Sequence, residues 1–193
     1  MRTINAVELL TLDGVMQAPG GKDEDTRGGF EHGGWAAPYN DEVMGQEMSK
    51  GMGETELLFG RRTYDILHDA WADRSDQNPF TTVLNETPKY VASRTLTEPL
   101  EWANSTLLDG DAADAVAKLK EQPGKDLVIM GSGELVRALM ADGLIDVYTL
   151  MIHPLVLGSG HRLFDDDSAL AKLDLSDSVT TTKGVVIATY RPA

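Results

Sequence analysis

Residues 57–64, L-L-F-G-R-R-T-Y, form an apolar run that stops at Gly60 and hands over to two guanidiniums, Arg61 and Arg62, and the Thr63 hydroxyl. A strand end followed by donors of this kind at a helix start suits an anion: arginine grips phosphate bidentately, and first-turn N–H groups point outward. Taken alone, two neighbouring arginines are more often a solvated surface pair. Two further turns repeat the chemistry. In D-L-V-I-M-G-S-G-E-L, Gly131, Ser132 and Gly133 separate an apolar run from the helical pattern of Glu134 and Leu135. Glycine there lets a ligand approach the backbone closely, although a tight turn needing positive φ explains it equally well. After K-Y-V-A, the residues Ser93, Arg94 and Thr95 add a third arginine and two hydroxyls. Ligands of α/β sheets lie outside the carboxyl ends of the strands, so three such exits point to one polyphosphate cofactor.

Other chemistries fit less well. A dinucleotide G-x-G-x-x-G pattern needs glycine where Val136 stands, and a G-x-S-x-G nucleophile elbow needs it where Met130 stands. His153, His161 and the run Asp165–Asp167 could be imagined as metal ligands, but no ligand spacing recurs and structural roles are favoured. The methionines at 44, 48 and 52 fall at helical spacing and read as core. Trp35, Trp71 and Trp102 lack stacking periodicity; Trp35 is placed to cap a site, with core packing the default.

The elements that must hold these turns alternate between strand and helix. The pattern predicts a strand over Arg2–Leu10 ending in the T-L-D-G turn, where Asp13 is read as turn-forming. A glycine- and proline-rich loop follows over 17–40, and a loop of that length in a compact domain is usually functional or disordered. A helix is expected from Asp41 to Met52 with Asn40 as its cap, then a short buried strand at Glu56–Phe59 and a helix starting at Thr63–His68. Residues 69–88 read as polar and irregular, with strands at Lys89–Ser93 and Ser105–Leu108 beyond them. A helix capped by Asp111 ends at Pro123-Gly124; strand Asp126–Met130 leads to helix Glu134–Ala141, stopped by Gly143. A long β stretch from Asp146 through Leu157 and a hairpin of Ser178–Thr182 with Gly184–Tyr190 complete the chain. The fold class is therefore α/β, with a mostly parallel sheet and antiparallel strands at one edge.

At 193 residues the chain is expected to form one domain over 1–193. Its 17 Lys+Arg against 31 Asp+Glu give a net charge of −14, which disfavours nucleic acid as a partner while leaving room for a small anion at a local cluster such as Arg61, Arg62, Lys89 and Arg94. No apolar run is long enough for a membrane span or a secretory signal, and there is no cysteine; no membrane partner and a cytoplasmic location are expected.

The G-R-R-T-Y, S-R-T and I-M-G-S-G-E-L segments resemble the cofactor-binding sequence of dihydrofolate reductases. T-L-D-G-V-M and H-P-L-V-L-G-S-G-H-R-L-F are similar to the wider dihydrofolate reductase-like family, which includes the reductase domain of the bifunctional riboflavin-biosynthesis deaminase–reductase and stand-alone bacterial relatives. The resemblance spans essentially the whole chain. It implies NADPH as cofactor, with Gly60, Arg61, Arg62 and Thr63 on its pyrophosphate and 2′-phosphate. Ser93, Arg94 and Thr95 would complete the 2′-phosphate pocket. Gly131, Ser132, Gly133, Glu134 and Leu135 would cradle the pyrophosphate, and Met16 would lie near the nicotinamide. The 17–40 loop would close over the site. The resemblance also nominates Asp41 as proton donor, with Glu42 sharing the ambiguity and helix capping as the competing explanation. The implied reaction is hydride transfer to a small heterocycle or ribosylamino-pyrimidine of the riboflavin type. Dihydrofolate or pterin reduction is the alternative, and a non-catalytic NADPH-binding module the alternative of another class. Met130 stands where the riboflavin-pathway reductase has a substrate-binding glutamate, which pulls toward the pterin reading. A small-molecule substrate is the expected partner, and a homodimer is compatible with the reading.

Overall fold

The computed structural model describes residues 1–51, 53–76 and 78–193; Met52, expected at the end of the first helix, lies outside them. Eight strands make one sheet in the order β4-β3-β2-β5-β1-β6-β8-β7. They are β1 (Ile4–Thr11), β2 (Thr55–Gly60), β3 (Lys89–Ala92), β4 (Ser105–Leu108), β5 (Asp126–Met130), β6 (Val147–His153), β7 (Leu173–Thr180) and β8 (Val186–Pro192). The first six pair in parallel; β8 is antiparallel to β6, and β7 to β8. The architecture is thus the expected α/β sheet with an antiparallel hairpin at one edge.

Helices cover both faces because the central strands are apolar on both. Helices α4 (Ala112–Glu121) and α5 (Gly133–Ala141) bury Val116, Leu119, Val136 and Leu139 against Ile4, Ala6, Leu58, Leu127 and Ile129. On the other face, α2 (Arg61–Trp71) and α3 (Pro79–Glu86) bring Tyr64 and Leu84 onto Leu57, Phe59 and Val91. There too, α1 (Glu42–Ser49) seats Met44 on Met151, Val185 and Ile187. Fully burying a side chain of this size contributes roughly 1.5–3 kcal/mol, so these layers dominate the stability.

Local chemistry sets the helix ends. Asp111 accepts from the N–H groups of Ala113 and Asp114 at 3.0 and 3.3 Å. At the end of α5, Gly143 adopts φ 64°, Gly143 N–H bonds Met140 O and Leu144 N–H bonds Leu139 O, the paired closure that a left-handed glycine permits.

Four expectations are corrected. Asp41, not Asn40, caps α1. Residues 69–88 are not irregular throughout: α2 continues to Trp71, and α3 fills 79–86 with Asn78 as cap and Pro79 in its first turn. That start signal was masked by the polar run around it. The β stretch after Asp146 ends at His153, since Pro154 supplies no N–H to a ladder. Finally, β7 begins earlier than expected, at Leu173; its side chains are almost all exposed, so it shows no buried alternation.

Candidate cofactor and substrate site

The three strand exits meet. Ser132, in the left-handed region at φ 69°, turns its Oγ to accept the Gly60 N–H at 2.9 Å, which joins the β5–α5 turn to the junction of β2 and α2. A Cβ on Gly131, itself at φ 69°, would sit 3.4 Å from Thr63 Cγ2, so the two turns are in van der Waals contact. Arg61 Nη1 donates to Thr95 Oγ1 at 2.6 Å, which ties in the exit of β3. Ser93 Oγ accepts from the N–H groups of Thr95 and Leu96, both at 3.1 Å, and fixes that turn. Arg61, Arg62 and Arg94 are exposed, and among the described residues Arg62 and Arg94 form no ion pair. Gly60, Arg61, Thr63, Ser93, Thr95, Gly131 and Ser132 therefore assemble one polar corner at the carboxyl ends of β2, β3 and β5.

Gly133, Glu134 and Leu135 form the first turn of α5, whose outward N–H groups suit an anion. The Leu135 side chain is in the core, which leaves only its backbone for that purpose. A Cβ at Gly133 would lie 2.2 Å from Met16 Sδ, so Met16 closes directly on the glycine turn. Lys89 does not belong to the corner. It is buried beneath the Trp102 ring and donates to Leu84 O and Thr87 O at 2.7 and 2.9 Å; burial pushes its pKa down to about 8.

The 17–40 loop is docked rather than open. Val15, Ala18, Phe30, Trp35 and Ala36 make a buried cluster of their own. Gln17 fastens it: its Nε2 donates to Asp25 O and Arg27 O at 3.1 and 3.0 Å, its Oε1 accepts from His161 N, and its carbonyl accepts from Trp35 Nε1 at 2.7 Å. The loop brings in an ion pair that the sequence did not announce, Arg27 forked onto Asp25 with contacts of 2.6–3.0 Å. The Arg27 hydrogen bonds hold the Asp25 carboxyl below its ordinary range with help from the Arg62 charge, and Glu134 reinforces Arg27. The pair therefore lies within electrostatic reach of both helix starts.

Asp41 does not fit a proton donor. Its carboxylate accepts from Thr182 Oγ1 at 2.6 Å, Met44 N–H at 2.8 Å and Lys183 N–H at 3.2 Å. The Thr182 hydroxyl and then the Met44 amide hold its pKa at about 2, so it carries no proton near neutrality. It caps α1 and ties that helix to the β7–β8 turn. Asp13 is turn-forming as expected, accepting from Thr11, Leu157 and Gly158.

The carboxyl with unusual properties is Glu8, in the middle of β1, which the sequence reading did not single out. It is 1% exposed, its Oε1 has no hydrogen-bond partner, and burial pushes its pKa up to about 8. The available signal was parity: Glu8 occupies the same face as Ile4, Ala6 and Leu10, where an apolar residue is expected. His153 is likewise fully buried. Its Nδ1 faces the carbonyls of Met151 and Leu10 at 2.9 and 3.2 Å, and the rings of Trp35 and Tyr39 meet it edge-on at 5.0 and 5.6 Å. These contacts give it a structural place, and among the described residues no group of His, Asp and Glu gathers as metal ligands would. Nor is any helix of these residues long and apolar enough to cross a membrane. Met130 packs with the cluster that holds Leu57 and Phe59.

Comparison with known proteins agrees with this architecture. The chain is 30% identical over 167 residues to the uncharacterised protein YyaP of Bacillus subtilis, covering 81% of this chain and 88% of that one. It is 36% identical over 70 residues to YwjB of the same organism, 36% of this chain and 40% of YwjB. A solved Shewanella sp. PV-4 protein named for riboflavin biosynthesis superposes with a TM-score of 0.71 at 21% identity, over 99% of both chains. A pyrimidine reductase-like protein of Corynebacterium diphtheriae gives 0.63 at 12% identity, over 100% of this chain and 92% of that one. RibD of Acinetobacter baumannii also gives 0.63, at 16% identity; the whole of this chain matches 58% of its length. At these identities the structures establish the shared fold. The model of the RibD C-terminal domain matches residues 2–187, nearly the entire chain, which therefore belongs to the RibD C-terminal domain family.

Proposed function

We propose that the chain is an NADPH-dependent reductase acting on a small heterocycle, with a ribosylamino-pyrimidine of the riboflavin type as the leading substrate class. The observation that carries this reading is the joined corner: Gly60 bonded to Ser132, Arg61 to Thr95, and Gly131 against Thr63. The residues fit a phosphate-bearing cofactor on two counts. Gly131 and Ser132 hold left-handed conformations that shape a tight turn ahead of the first turn of α5, and three arginines, Arg61, Arg62 and Arg94, are exposed at the neighbouring strand exits.

When bound, NADPH would supply the hydride; the protein supplies position and exclusion of water. Arg61, Arg62 and Arg94, with Ser93 and Thr95, would receive the adenosine 2′-phosphate, and the first turn of α5 with Gly131–Gly133 the pyrophosphate. Met16, closing on Gly133, would line the nicotinamide end. The docked 17–40 loop keeps water from the face of β1 that carries Val7 and Leu9. Met130 favours a second reading, dihydrofolate or pterin reduction, because it packs into an apolar cluster and offers no carboxylate to accept hydrogen bonds from a ribosylamino-pyrimidine substrate.

The test is cofactor selectivity. Replacing both Arg61 and Arg62 with alanine should weaken NADPH binding by at least about tenfold more than NADH binding, since only NADPH loses charge-assisted contacts to the extra phosphate. Equal weakening of the two would refute the pocket. Absorbance-monitored oxidation of NADPH with aminopyrimidine ribosyl phosphates and with dihydrofolate would then separate the two substrate readings.

A further inference from the structure

The β1–β5 ladder stops at Val7 opposite Met130, whereas β1 continues beside β6 with Glu8 opposite Leu150. Glu8 is thus the first residue of β1 beyond the point where β5 departs into the Gly131–Gly133 turn, and it faces the side covered by α5. The fold makes no use of its carboxyl: it forms no ion pair and no side-chain hydrogen bond among the described residues, and its Oε1 is buried without a partner. A polar group in that state costs stability, and a methionine or leucine of similar size would remove the cost. Positions that break the local pattern without structural return are where binding function is to be sought.

We propose that Glu8 is a recognition residue: a protonated carboxyl that pairs through its O–H and its C=O with an amide edge, H–N–C=O, of the molecule held at the glycine turn. A neutral carboxyl offers one donor and one acceptor side by side, the complement of that edge. Burial keeps the proton on near neutrality, its pKa being pushed up to about 8. Met16, partly buried and in the way of any Cβ on Gly133, is the flexible side chain on this flank that can yield to an incoming ring. The inference rests on the cofactor reading above. Two molecules at such a site carry the edge, the nicotinamide carboxamide and the lactam of a pyrimidine or pterin.

The experiment compares wild type with Glu8→Gln and Glu8→Met by thermal unfolding of the free proteins and by calorimetric titration. The titrants are NADP⁺, its 3-acetylpyridine analogue, which lacks the amide N–H, and, with NADP⁺ saturating, 5,6-diaminouracil. Glu8→Met should melt at higher temperature than wild type yet lose about tenfold in affinity for one amide-bearing ligand. Glu8→Gln, which keeps a donor and an acceptor, should retain most of that affinity. Loss for NADP⁺ but not for the acetylpyridine analogue assigns the edge to the cofactor; loss confined to the diaminouracil assigns it to the substrate. The protonated-carboxyl infrared band, identified by its absence from Glu8→Gln, should shift when the same ligand is added. A stabilised Glu8→Met that binds both ligands as wild type does, with an unmoved carboxyl band, overturns the proposal while leaving the cofactor reading intact. Failure of wild type to bind NADP⁺ overturns the cofactor reading, and this proposal with it.

Discussion

Two carboxyls near the same end of the sheet have opposite surroundings. Asp41, at the start of α1, accepts three hydrogen bonds at the surface and is driven to a pKa of about 2. Glu8, in β1, is buried without a partner for Oε1 and is driven to about 8. The first is held in its charged form by donors; the second is held neutral by the lack of them. Helical position alone singles out Asp41, yet of the two only Glu8 keeps a proton in the neutral range.

The largest effect that would break this contrast is the pH dependence of stability. The folded chain keeps the Glu8 proton up to about 8, whereas the unfolded chain releases it near the ordinary value of 4.5. Native protein binds more protons in that window, so stability must fall as pH rises from 4.5 to 8 and level off above. In a pH series of denaturant melts this falling component should vanish in Glu8→Gln; an unchanged slope would mean that Glu8 is ionised or solvated.

A smaller effect is expected at Asp41. Asp41→Ala removes the cap of α1 and its tie to the β7–β8 turn, so the melting temperature should drop, with Thr182→Val losing only part as much. Turnover in Asp41→Asn should persist once the protein is folded, and an inactive but fully folded Asp41→Asn would return the proton to this residue. The smallest effect lies at the acid limit. The Asp41 contribution is complete above 3.8 and is lost as pH falls through about 2, so wild type and Asp41→Asn should converge in stability below that point.

Much of this fold was legible because its strands carry two-faced apolar runs and its helices start and stop on Asp111, Gly133 and Gly143. Residues 79–86 were not, since Asn78-Pro79 opens a helix whose apolar side is narrow and whose flanks are polar. The polar corner proposed to hold phosphate was legible from donor types at three strand exits. The register that joins them through Ser132 and Gly60 is a tertiary fact and was not. Lys89 falls with the basic cluster in the sequence because sequence cannot distinguish an ammonium at the surface from one that closes the end of a helix from inside. Glu8 is not legible as a site because one acid in a strand looks like the solvent side until the parity of its neighbours is taken strictly.

The Gln17 clamp has a consequence for motion. One amide side chain and its own carbonyl bind Asp25, Arg27, Trp35 and His161, so four points of the chain share a single anchor. A substitution that removes the Gln17 amide would release Asp25, Arg27 and His161 together and leave the Trp35 bond, with the cluster of Val15, Phe30 and Trp35, to hold the loop by itself.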